Sequence, residues 1–241
     1  MKPILLIARR ELAAYLRSMS GYAIMAAALF VDGLFFNGMA LGGEAKRSSE
    51  VLAVFFQIAG GVTMIASVLL SMRLLAEERQ AGTITLLYSS PLRDREIVIG
   101  KFLSALVMLA IITAATVYMP ALILVNGKIS WGQVGAGYLG VLLLGSAALA
   151  VGTFGSSLAR SQVIAALISA CMVAALVVCW MLARVTERPL SEIFAALALW
   201  NRHFPPFTEG VVHLRDLTYY VGITYVALFG GTRVLEARRW R

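Results

Sequence analysis

Residues 51–72 read VLAVFFQIAGGVTMIASVLLSM, twenty-two consecutive positions without one charged side chain. As a helix this run is about 33 Å long. It matches the roughly 30 Å hydrocarbon layer that about 20 apolar residues are needed to cross. Outward from it lie four more such stretches. Residues 21–41 carry one acid, Asp32; residues 102–125, 132–158 and 163–182 carry no charge. A shorter sixth stretch starts at residue 217, and because Arg233 can snorkel, its helix can run on to Glu236. The expected fold is all-α: one polytopic membrane domain over residues 1–241, with spans at about 21–41, 51–72, 102–125, 132–158, 163–182 and 217–236.

The composition agrees. Apolar residues make up 60% of the 241 and charged residues 14%, against 45–50% and about 25% in soluble domains. Mean hydropathy is +0.82. A 26.0 kDa chain cannot hide that much apolar surface in one water-facing core. Two cysteines exclude a disulfide scaffold, and Cys171 and Cys179, inside the fifth span, read as small apolar side chains. No repeat or low-complexity segment is evident.

Six spans put both termini on one side. Of the 21 basic residues, Lys46, Arg47, Lys128, Arg184, Arg188, Arg202 and Arg215 fall on the opposite side, which leaves 14 with the termini. The basic excess marks that side as cytoplasmic. Much of the net charge of +8 is therefore topology signal, and a nucleic-acid partner is not expected. In residues 1–20, Leu5, Ala8, Leu12, Tyr15, Leu16 and Met19 recur at helical spacing opposite Arg10, Arg17 and Ser18. That suits an amphipathic helix in the inner membrane interface. Met39-Ala40-Leu41 is a poor cleavage site, so 21–41 reads as a retained span.

Two connections carry information. The first, residues 73–101, reads RLLAEERQAGTITLLYSSPLRDREIVIGK. It is charged at its start and amphipathic in the middle, and Ser90-Pro91 and Asp94 ahead of Ile97 are helix-start signals. The pattern predicts a short helix across the membrane face, a turn and a lead-in to the third span; taken alone, it also suits a solvated basic loop. The second, residues 184–216, places Ile193, Phe194, Leu197 and Trp200 on one face of a short helix, broken by Pro205-Pro206. Such a helix is too short to cross and lies in or dips into the outer leaflet. Its aromatic residues, with Tyr219 and Tyr220, also suit simple interface anchoring.

The run Arg73…Glu77-Glu78-Arg79…Gly82-Thr83…Leu86-Leu87…Ser90-Pro91…Glu96-Ile97-Val98…Gly100-Lys101-Phe102 resembles the loop between spans two and three of ABC-2-type transporter permeases. The six-span layout and the amphipathic start resemble that family too. The resemblance implies a coupling helix docking on an ATP-binding subunit, with Glu77, Glu78, Arg79, Gly82, Thr83, Leu86 and Leu87 as its residues. Glu77 and Glu78 would meet basic groups there, and Gly82 would permit a close turn. The pattern His203-Phe204…Phe207…Gly210…Arg215-Asp216…Tyr219-Tyr220, with Arg238-Arg239-Trp240-Arg241, is similar to the gliding-motility-type (GldF-like) branch. There His203, Phe204, Phe207, Arg215 and Asp216 would help form an outer gate.

The resemblance implies a permease subunit of an ATP-driven exporter in a bacterial cytoplasmic membrane, not itself an enzyme. Its expected partners are two ATP-binding subunits, a second permease subunit, membrane lipid and a companion with a large extracytoplasmic domain. No cofactor is expected on this chain; ATP and Mg belong to the partner. Gly100-Lys101-Phe102 and Gly127-Lys128-Ile129 lack the earlier Gly and the following hydroxyl of a phosphate loop. No HExxH or CxxC suggests a metal. Asp32, mid-span, either lines a substrate path or bonds to a neighbour such as Asn37 or Thr63, and Asp32 and Asn37 are the pathway candidates. Gly38 and Gly42 form a small-xxx-small pair. An ATP-independent secondary transporter or channel is the alternative. A membrane enzyme built on Asp32, His203 and His213 requires residues at different depths to converge.

Overall fold

The computed structural model describes residues 2–41, 47–83, 92–126 and 129–239. Among them there is no strand. The helices are α1 (Lys2–Arg17), α2 (Met19–Phe35, continued by a π-helical turn Phe36–Leu41), α3 (Ser48–Ser71), α4 (Ala76–Gln80), α5 (Asp94–Ala115), α6 (Tyr118–Asn126), α7 (Trp131–Leu158), α8 (Gln162–Val185), α9 (Leu190–Leu197), α10 (Pro205–Thr208) and α11 (Leu214–Arg239). By length and composition, five crossings can be built from the described residues, on α2, α3, α5 with α6, α7, and α8. The 26-residue α11 is long enough but ends in Arg233, Glu236 and Arg238, and is not among the five.

Several boundaries differ from those expected. The third span starts at Asp94 rather than 102, and the backbone N–H of Arg93 donates to Glu96 Oε2 at 3.0 Å at its start. It breaks at Thr116–Val117 before α6. Pro120 explains the break: it has no N–H to donate, and its ring crowds the carbonyl four residues back, that of Thr116. The short helix expected through Trp200 stops at Leu197, and Pro205-Pro206 open α10 instead of ending α9. Proline's fixed φ suits a first turn, where its missing donor costs nothing.

α7 is the axle, with α3, α5, α8 and α11 packed around it. Close approach depends on small residues, as expected where lipid tails supply no hydrophobic drive between helices. Ser67 Oγ donates to Gly145 O at 3.1 Å and Ser169 Oγ to Gly152 O at 3.0 Å. Phe207 lies over Gly140, where an added Cβ would come within 2.5 Å of Phe207 Cβ. Gly140→Leu is therefore expected to destabilise by about 1–3 kcal/mol through overpacking. Gly222→Ala, whose new Cβ meets nothing within 4 Å, should leave the thermal midpoint of purified protein unchanged. Equal midpoints for the two variants would refute this packing account.

The amphipathic α1 is more than an interface helix. It lies along α5, with Gly100 accommodating Ile7. Ala8 and Tyr15 are buried, and Tyr15 Oη donates to Leu70 O at 2.9 Å. Leu5 and Leu6 point outward, so the helix has an apolar face on each side, one for protein and one for lipid. Ser18 then caps α2 by accepting from Gly21 N. Of the five crossings, α2 and α8 are the least covered, with 28% and 22% of their most apolar stretches buried. Phe30 and Leu34 on α2, and Val163 and Leu167 on α8, are bare. Cys171 and Cys179 are free thiols.

Candidate functional site

Three places gather the polar side chains of an otherwise apolar bundle. The first is α4. Leu74, Leu75 and Ala76 are buried as the chain leaves α3. The backbone N–H groups of Leu75 and Ala76 donate to Ser156 Oγ at 3.2 and 3.1 Å. Arg79 Nη1 donates to Ser157 O and Ala159 O at 2.6 and 2.8 Å, which clamps α4 to the end of α7. α4 closes with Thr83 N donating to Glu78 O and Gly82 N to Arg79 O, around Gly82 at φ +71°. This paired closure requires a left-handed residue, and glycine supplies it without strain.

α4 is also tied electrostatically to two other helices. Lys101 of α5, only 2% exposed, lies 2.8 Å from Glu78 Oε1 and 3.4 Å from Glu11 Oε1 of α1. Arg10 donates to Glu11 at 2.9 Å. Arg73 Nε and Nη2 grip Glu77 at 2.9 and 3.1 Å; Arg73 also reaches Ser18 and Ser20 and stacks over Tyr15. One buried ammonium thus joins α1, α4 and α5. Glu78 is an internal group at 16% exposure, and Glu77, held by Arg73, is 42% exposed. The outward surface here is Gln80, Ala81, Gly82 and Thr83. Leu86 and Leu87 lie outside the described residues.

Burial pushes the Glu11 carboxyl up, but Lys101 and Arg10 outweigh it and hold the group below its ordinary value of 4.5. A lowered folded value means this contribution is present above pH 4.5 and is lost as pH falls through the lower folded value. A spin label on Ala14→Cys, in a background lacking Cys171 and Cys179, should gain mobility on acidification below about pH 4.5. With Glu11→Gln added, the label should be mobile already at pH 7. An acid response that persists in Glu11→Gln would reject Glu11 as its source.

The second place surrounds Asp32, which is 3% exposed, with Thr63, Thr113 and Thr116 lining the same small cavity. Among the described residues its Oδ1 has no hydrogen-bond partner. Thr113 and Thr116 hydroxyls donate instead to Leu109 O and Thr113 O on their own chain segment. Asn37 lies exposed on the π turn, away from this cavity; Gly38 faces open space and Gly42 lies outside the described residues.

The third place is a cap at the opposite end of the bundle from α4. His203, Phe204, Phe207 and Asp216 are brought together there. His203 Nδ1–H donates to Asp216 Oδ1 at 2.6 Å, with Asp216 fully buried and the imidazole stacked on Tyr219 at 3.8 Å. Arg215 reaches the same oxygen at 3.4 Å from the rim. Phe204 and Phe207 are buried against Gly60 of α3 and Gly140 of α7. Tyr219 and Tyr220 hydroxyls donate to Leu197 O and Leu199 O. Gln133, which sequence reading passed over, pins the cap by donating to Ser49 O and Thr208 O, both at 2.9 Å. His213 stays exposed and apart. Asp32 and His203 occupy different cavities and do not converge.

No curated protein matches the chain. A family model described as "ABC-2 family transporter protein" matches residues 7–197, from α1 through α9, and takes in Asp32, α4 and Lys101. The chain therefore belongs to the ABC-2 family of transporter proteins and is the multi-pass membrane permease subunit of an ABC transporter, not its ATPase.

Proposed function

We propose that this chain is a lever driven from below. ATP and Mg bind a separate subunit, two copies of which dock beneath two permease subunits, and closure of those copies pushes on α4 and the segment after it. The observation that carries the reading is the junction at Lys101, where α4 is bonded to α1 and α5 by buried charge and to α7 through Ser156 and Arg79. A push on so short a helix has no slack to absorb it, so it moves the spans. Gln80, Gly82 and Thr83 present the docking face, and Glu77, Glu78 and Arg79 hold it rigid from behind; the family resemblance adds Leu86 and Leu87 as coupling residues.

In this reading α11 is a sixth crossing, and both termini lie with α4 on the cytoplasmic side of a bacterial inner membrane. Two facts support it. α1 and the end of α11 flank α4, and Arg238 donates to Leu158 O at the α4 end of α7. The bare faces of α2 and α8 supply surface for the second permease subunit. Asp32, buried with a free acceptor beside two threonine-bearing helices, is the pathway candidate, and Asn37 marks the far end of its helix. The cap with His203, Phe204, Phe207, Arg215 and Asp216 acts as the outer gate. The GldF-like likeness of residues 203–241 extends beyond the family match and supports a companion with a large extracytoplasmic part.

Purification of the tagged chain from its native membrane tests this. An ATP-binding subunit should come with it, and flux through reconstituted vesicles should stop without ATP. Purification with no ATPase, together with ATP-independent flux, would establish a secondary transporter or channel instead.

A further inference from the structure

α8 and α11 both pack on α7 but hardly on each other. Between them runs a groove of about 750 Å³ with almost wholly apolar walls. Val151 and Phe154 of α7 form its floor, Met172 and Leu176 of α8 one wall, and Gly222 and Val226 of α11 the other. Arg202, His203 and Arg215 stand at one end. We propose that this groove is a binding slot for one anionic phospholipid of the outer leaflet, its acyl chain between α8 and α11 and its phosphate against Arg202 and Arg215. The inference rests on α11 crossing the membrane as proposed above.

Dimensions and charge both favour this occupant. From Arg215 to Val226 the wall of α11 is about 17 Å long at 1.5 Å per residue. That is close to half of the roughly 30 Å hydrocarbon thickness, the depth of one leaflet. Gly222 widens the slot midway, since a Cβ there meets nothing within 4 Å. At the mouth, the fully buried Asp216 takes His203 at 2.6 Å and Arg215 Nε at 3.4 Å, which leaves the outer Nη groups of Arg215 and the whole of Arg202 turned toward a ligand. Arg215 is 64% exposed and Arg202 is exposed, two guanidinium groups suited to a phosphate. A symmetric second copy seated in the same groove would bring arginines against arginines.

Native mass spectrometry of the purified complex with phosphatidylglycerol or phosphatidylcholine of identical chains tests the slot. Phosphatidylglycerol should be retained about tenfold better, because phosphatidylcholine presents the same phosphate but adds a choline cation that the two guanidinium groups repel. Arg202→Ala with Arg215→Ala should abolish that preference. Gly222→Leu, which fills space that is open in the structure, should reduce retention of both lipids while the thermal midpoint holds. Undiminished retention in Gly222→Leu, no lipid preference in the native protein, or disulfide-linked dimers through Gly222→Cys would each overturn the proposal. Loss of the slot while the ATPase subunit still co-purifies would leave the permease reading standing.

Discussion

Lys101→Met should lower the stability of the α1–α4–α5 junction by about 3–5 kcal/mol, the usual cost of removing one partner from a buried ion pair. Lys101 is 2% exposed, and without it Glu78 and Glu11, at 16% and 18%, would keep only Arg10, which is 70% exposed and lies 2.9 Å from Glu11 and 3.9 Å from Glu78. Screening by water is slight at such burial, so the effect should persist in moderate salt. Two measurements check it. The thermal midpoint of the purified protein should fall, and the amount of transport per ATP hydrolysed should drop by more than the loss of folded protein accounts for. Lys101→Arg keeps the charge and should recover most of the first effect. An unchanged midpoint in Lys101→Met would mean that the junction is not held by this ammonium.

The second large effect is expected at the cap. Asp216→Ala removes a fully buried carboxylate whose oxygen takes the His203 Nδ1–H at 2.6 Å. Hydrogen bonds to charged groups and broken buried pairs together suggest a loss of about 3 kcal/mol. The damage should be local, because His203 is stacked on Tyr219, and Phe204 beside it fills the gap at Gly60. Protease cleavage around Glu209–Gly210 should therefore accelerate while the α4 end stays protected. Asp216→Asn keeps an acceptor and should lose less. A double-mutant cycle with His203→Ala should show strong coupling; additive losses would show that the two side chains act separately.

Much of this was legible in the sequence, for physical reasons that also explain the failures. Uncharged runs of twenty or more residues can only be covered by lipid or by each other, so the helices and the multi-pass class could be read directly. Lipid-facing helices need no periodicity, however, and hydropathy alone could not reveal the break that Pro120 makes in the third span. The charged start of the α4 segment drew attention to the right residues, but spacing along the chain says nothing of what a carboxylate meets across space. Glu78 is the counter-ion of Lys101, a residue that reads in the sequence as a mere flank of a span. The clue was available, since a helix starting at Asp94 carries Lys101 two turns inward, where an ammonium needs a partner. At the cap, Arg215-Asp216 and His203 were singled out, whereas their pairing and the role of Gln133 depend on a fold-back that residue patterns do not encode.

The central claim is that force enters through the exposed end of α4, and cross-linking from Thr83 tests it most directly. Thr83 is exposed, and among the described residues its side chain bonds only locally, to Glu78 O at 3.3 Å, so Thr83→Cys should leave the junction at Lys101 intact. In membranes containing the whole transporter, a short bifunctional reagent on Thr83→Cys should capture the ATP-binding subunit, with a yield that changes between nucleotide-free and ATP-bound states. Capture of lipid or nothing at all, in a complex shown to contain the ATPase and to hydrolyse ATP, would contradict the account.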